Sequence, residues 1–167
     1  MPFTPFHFGP GAALHALAPR HVSFLSFCTA NVLIDVESLI NLLGQRHPVH
    51  AFFHTYVGAT WVIAATVALF VVARRWARHL HWPDPLQWQG LSLRQVALGA
   101  ALGAYTHVLL DSVMHSDIRP LAPFSPTNPL LLTLSLDALH QACLLLGAVG
   151  AAVLGLRWWV AQRQNRR

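Results

Sequence analysis

Residues 55–73 read TYVGATWVIAATVALFVVA, an uncharged run of 19 positions that stops at Arg74 and Arg75. As a helix rising 1.5 Å per residue it covers about 28 Å, close to the ~30 Å hydrocarbon core of a bilayer. Three more apolar stretches, 22–44, 91–115 and 129–156, flank it at comparable length. The chain therefore reads as all-α: an integral membrane bundle of about four spanning helices, forming a single transmembrane domain over 1–167. Composition agrees. Of 167 residues 54% are hydrophobic and 10% charged, with a mean hydropathy of +0.46, whereas soluble domains carry about 25% charged residues.

The net charge of +5 comes from eleven arginines and no lysine. Most of these lie between or after the apolar runs, as topology determinants do, so no nucleic-acid partner is expected. Loop 74–94, RRWARHLHWPDPLQWQGLSLR, and tail 157–167 hold most of the arginines, while the opposite helix ends offer Arg46 and Arg119. The positive-inside rule then puts that arginine- and tryptophan-rich loop, the basic tail and both termini in the cytoplasm. MPFTPFHFGPG lacks the basic start of a signal peptide. Residues 10–20 suit a helix of about two turns, too short to span, and read as a re-entrant or interfacial piece. Cys28 and Cys143 sit alone in apolar runs and read as packing residues. No internal repeat is visible, which weakens an inverted-repeat transporter reading.

Ionisable groups within spans cost about 2.5–3.5 kcal/mol each on insertion scales, and so mark function. His50 and His54 form H-x-x-x-H at the start of the second span, a spacing that puts two imidazoles on one helical face. His107, Asp111 and His115 repeat that spacing through the third span. With loop 74–94 inside, these residues converge at the outer end, within reach of Asp35 in the outer half of the first span. Asp117 follows in a proline-rich loop and can serve as a ligand, as an acceptor from a ligand, or as a general base. Glu37 lies two positions from Asp35, on another helical face, and is a second candidate base. His7 reaches the cluster if the N-terminal piece dips into the bundle. Asp137 and His140, placed two to three turns into the fourth span, can hydrogen-bond from behind the ligands. His15, His21, His47, His79 and His81 have no partner spacing and read as interfacial or solvated. Imidazole and carboxylate without thiolate suit a divalent metal, zinc above all, with manganese or iron as alternatives. Seven candidate ligands exceed the four of a closed zinc site, implying two ions or a site that keeps a water.

MPFTPFH, the acid in NVLIDVE, HAFFHTYVGA and THVLLDSVMHSDIRPLAPF together resemble the membrane-bound metal-dependent hydrolase family, also described as LexA-binding, inner-membrane-associated hydrolases. The resemblance covers most of the chain. Where the family pattern has H-R-x-x-T-H-S, this sequence has HAFFHT, with Ala51 in place of the arginine and Tyr56 in place of the serine. The order of residues is also similar to a reduced α-helical zinc-dependent phospholipase C site. These resemblances imply a metal-dependent hydrolase of the bacterial inner membrane, acting on a phosphoester or other ester of a lipid-like substrate at the outer face. His7, Asp35, His50, His54, His107, Asp111 and His115 would bind metal, and Asp117 or Glu37 would accept a proton. Two rivals are a metal-ion or proton transporter and a structural membrane protein whose metal clamps the helices. A transporter needs liganding groups at several depths, and the cytoplasmic half of each span is plain Ala/Leu/Val.

Overall fold

The structure, a computed structural model, describes residues 4–164. Its α-helices are α1 (Thr4–Leu17), α2 (Phe24–Leu43), α3 (Tyr56–His79), α4 (Leu93–Met114) and α5 (Leu136–Gln164), with short 3-10 turns at Phe52–His54 and Trp88–Gly90. The described residues contain no strand. The helices α2, α3, α4 and α5 are long and apolar enough to cross a membrane. Their surfaces fit that solvent: Leu39, Trp61, Val72, Leu98, Leu145 and Val149 are all exposed, as lipid-facing side chains must be.

Local sequence sets the helix boundaries. Ser23 caps α2 by accepting from Ser26 N, Thr55 caps α3 by accepting from Gly58 N, and Ser92 and Gln95 form a capping box on α4. The fourth span departs from expectation at its start. Residues 129–135 are apolar but lie outside the helix, which begins after Ser135, whose hydroxyl accepts from Ala138 N at 3.2 Å. A second correction concerns the N-terminal piece, which is a 14-residue helix running straight through Gly9-Pro10-Gly11 rather than a two-turn segment after a turn. Pro10 lacks the N–H that would bond one turn back. Tertiary packing holds that segment together instead: α1 lies mainly on α5 and also on α2. A Cβ at Gly9 would stand 1.9 Å from Cys143 O, and one at Gly11 2.4 Å from the Phe27 ring.

The close approach of α2 and α4 positions the polar cluster. Gly99, Gly103, His107, Asp111 and His115 recur every four residues, so the first two lie on the face that carries the ligands further up. Small residues let helix backbones touch in a membrane, and a Cβ would meet Ser23 O at 2.3 Å from Gly99 and Phe27 O at 2.4 Å from Gly103. Beside this seam Ala30, Ile34, Ala59, Val62, Ala100, Ala104 and Val108 form the apolar core. Gly103→Val is expected to push α2 off α4, because the obstacle is backbone and cannot swing away. A loss of about 3 kcal/mol is the expected scale. Gly155→Val is the control, since nothing stands within 4 Å of a Cβ there. Thermal unfolding in detergent should separate the two variants clearly.

Candidate metal centre

Three chain segments meet where α2 ends its second third, α3 begins and α4 finishes. Asn31, Asp35 and Ser38 share one face of α2. His107 and Asp111 project from α4, and His54 comes from the 3-10 turn preceding α3. His54, His107 and Asp111 are 0% exposed. His107 Nε2 lies 3.2 Å from Asp35 Oδ1 and 3.2 Å from Asp111 Oδ2, while His54 Nε2 lies 3.6 and 3.5 Å from the same two oxygens.

These are the lengths of histidine–aspartate ion pairs. His54 Nε2, His107 Nε2 and both Asp111 oxygens are buried without a hydrogen bond of acceptable geometry. Atoms that crowd together without pointing at one another are what ligands around a common centre present. Four ligands held about 2.0–2.1 Å from a zinc ion at tetrahedral angles stand about 3.3 Å apart, and the four measured edges, 3.2–3.6 Å, bracket that value. The residues present therefore fit a divalent metal.

Outer partners fix the histidine tautomers. Asn31 Nδ2 donates to Phe27 O at 2.9 Å, which leaves Asn31 Oδ1 as acceptor. His107 consequently donates from Nδ1 to that oxygen at 2.9 Å, and Nε2 is left with the lone pair a metal takes. His54 Nδ1 stands 3.5 Å from Ser38 Oγ in the same sense. Asn31 and Ser38 escaped the sequence reading, which looked only for ionisable groups. The signal was there: polar residues at 31, 35 and 38 recur at helical spacing and share one face of α2.

A second group adjoins the first. One ligand atom each from His50, Asp111 and His115 lie within 4.8 Å of one another. His50 is not on a helix with His54, as the H-x-x-x-H spacing had implied, because α3 begins only at Tyr56. Loop 48–54 carries both histidines instead, and two carboxylates pin it. Asp117 Oδ2 accepts from Val49 N at 3.0 Å and His50 N at 3.1 Å, and Oδ1 accepts from His50 Nδ1 at 2.9 Å. Burial alone would raise the Asp117 carboxyl, but these His50 hydrogen bonds outweigh it and hold the group below its ordinary value. Glu37 accepts from Phe52 N at 3.2 Å and Phe53 N at 2.7 Å. Burial pushes the half-buried His115 imidazole below its ordinary value, favouring the neutral form a metal ligand needs.

His7 does reach the cluster, with Nε2 2.9 Å from Asp111 Oδ1 and its ring stacked on His107 at 4.4 Å. Asp137 and His140 stand elsewhere. Because α5 starts late, they fall in its first turns; Asp137 is exposed and His140 packs against Phe6 at 4.7 Å. Their expected place behind the ligands is thus corrected. His21, His47, His79 and His81 are exposed, and His15 Nδ1 donates to Val22 O at 2.7 Å. An open cleft lined by Tyr56, Val57, Thr60 and Tyr105 lies between α3 and α4, with Tyr56 and Tyr105 two residues from His54 and His107, respectively.

No protein-family model, curated protein or solved structure matches the chain.

Proposed function

We propose that this chain is a metal-dependent membrane hydrolase that cleaves a phosphoester or other ester of a lipid-like substrate. The observation that carries the reading is the set of imidazole and carboxylate ligand atoms that Asp35, His54, His107 and Asp111 bring within 4.8 Å of one another. A divalent ion held at this centre would supply Lewis acidity and bring a bound water to a pKa of about 7. The chain's own residues then do the rest. Asn31 and Asp117 keep the Nε2 lone pairs of His107 and His50 aimed inward. Asp117, which accepts from Val49 N, His50 N and His50 Nδ1, and Glu37, which accepts from Phe52 N and Phe53 N, position the ligand loop rather than take the proton from water. His7, whose Nε2 lies 2.9 Å from Asp111 Oδ1 and whose buried Nδ1 has no hydrogen bond, is placed to accept that proton. Water adds to the ester phosphorus or carbon, the ester C–O or P–O bond breaks, and the proton passes to the leaving oxygen.

The resemblance to inner-membrane metal-dependent hydrolases supports this reading. The cleft beside Tyr56 and Tyr105 favours a substrate that arrives from the bilayer. The same cluster spans α2, the turn before α3, and α4, which favours a second reading in which the metal clamps these helices. Turnover separates the two. The metal-loaded protein in detergent should hydrolyse members of a phosphoester and carboxylester panel and stop after chelation; a fully loaded protein that turns over nothing supports the clamp. Transport finds less support, since the ligands gather at one end of the bundle.

The arginine asymmetry favours a cytoplasmic position for the connection between α3 and α4 and for the C-terminal end of α5, and an outer-face position in a bacterial inner membrane for the cluster. The expected cytoplasmic N-terminus is corrected, because α1 carries His7 up to that cluster, and the expected loop 74–94 shortens to 80–92, because α3 continues to His79. In a variant lacking Cys28 and Cys143, Ser125→Cys is expected to react with an impermeant thiol reagent added outside intact cells. Labelling only after lysis would invert the topology.

A further inference from the structure

We infer that the centre holds two divalent ions bridged by Asp111. An inner ion sits on Asp35, His54, His107 and Asp111, and an outer ion sits on His50, His115 and Asp111. This deepens the metal-centre reading, which by itself needs only one ion.

The first argument is ligand arithmetic. Zinc takes four ligands in a closed site, and the inner set already supplies four. His50 and His115 are left over, yet both turn a buried Nε2 without a hydrogen bond toward the same place. Their rings stack at 4.2 Å. Two imidazoles have no reason to bury bare nitrogens side by side unless a cation joins them. His50 is moreover oriented by Asp117 through Nδ1, the carboxylate–histidine arrangement that outer residues give to metal ligands.

The second argument is the carboxylate itself. The Asp111 oxygens have different neighbours: Oδ2 stands 3.2 Å from His107 Nε2 and 3.5 Å from His54 Nε2, while Oδ1 stands 2.9 Å from His7 Nε2. Both are buried without a hydrogen bond. A single ion bound through Oδ2 would leave Oδ1 of a fully buried carboxylate to His7 alone, at 2.9 Å but without a hydrogen bond of good geometry. A second ion on Oδ1 resolves that, and carboxylate bridging suits the ~3.5–4 Å spacing of two-metal hydrolytic sites.

The two positions are unequal. The inner set offers four ligands and the outer set three, so only the outer ion would keep a position for another ligand; each set includes one partly exposed residue, Asp35 and His115. Water and substrate therefore meet the outer ion, and the inner one anchors the fold.

Chelator-stripped protein would be titrated with zinc, desalted, and its metal-to-protein ratio measured by elemental mass spectrometry. The expected ratio is about two for the unaltered chain and about one for His115→Ala, as a two-ion site requires. A ratio of one or none in the unaltered chain, or no change in His115→Ala, overturns the proposal. Manganese loading of the unaltered protein gives a test that needs no variant. An exchange-coupled electron paramagnetic resonance signal is expected, and two ions giving only the isolated six-line spectrum would remove the Asp111 bridge. Two coupled ions without ester turnover would defeat the hydrolase reading and leave this one standing. Turnover with one ion per chain would do the reverse.

Discussion

Asp111→Ala is expected to abolish metal retention and all hydrolytic turnover, the largest effect of any single substitution in this chain. Asp111 is wholly buried and lies 2.9–3.5 Å from ring nitrogens of His7, His54 and His107. Removing it takes the shared anionic ligand from both groups that gather at the centre. It also leaves those imidazoles facing an empty buried space. Breaking one partner out of a buried charged cluster costs on the order of 3–5 kcal/mol, so thermal unfolding of the apo variant should fall as well. Asp111→Asn keeps the volume and loses only the negative charge. It should recover much of the stability and none of the metal. An Asn variant that binds zinc as tightly as the unaltered chain would show that the carboxylate is not a ligand.

Asp117→Asn is expected to weaken metal binding about 10–100-fold, the usual scale for losing the partner that orients a ligand histidine. The expected loss of turnover at limiting metal is of the same size. The mechanism is specific. The carboxylate holds Val49 N, His50 N and His50 Nδ1 together, so its replacement frees the His50 ring and slackens loop 48–54. A general base would behave otherwise, with metal content normal and turnover low even at saturating metal. Zinc titration at several total metal concentrations, with turnover followed in parallel, tells the two apart: rescue by excess zinc indicates positioning, and failure of rescue with full occupancy indicates a base.

Much of the fold was legible because bilayer physics is strict. A 19-residue uncharged run admits few alternatives, and the spans 22–44 and 91–115 fall within two residues of α2 and α4 at each end. The late start of α5 was not legible, because residues 129–135 are apolar enough to pass as helix and only the Ser135 cap marks the boundary. Helix α1 was underestimated because Gly-Pro-Gly signals a turn locally, while the close approach of α5 that overrides it comes from residues more than a hundred positions away.

The site shows the same division. His107 and Asp111 were read correctly as one stripe because α4 is regular. His50 and His54 were assigned to a helix they do not occupy, because spacing cannot distinguish a helical turn from a loop pinned by carboxylates. That pinning also explains why Asp117 and Glu37 looked like free bases: their backbone partners, Val49, His50, Phe52 and Phe53, are invisible to any search for ionisable pairs.

The most direct test of the account is anomalous diffraction at the zinc absorption edge from crystals of the zinc-loaded protein. The account predicts a strong peak enclosed by His54 Nε2, His107 Nε2, Asp35 and Asp111, at about 2.0–2.1 Å from the ring nitrogens. Zinc-loaded crystals with no peak at that point, or with the zinc bound only by exposed histidines such as His79 and His81, would contradict it.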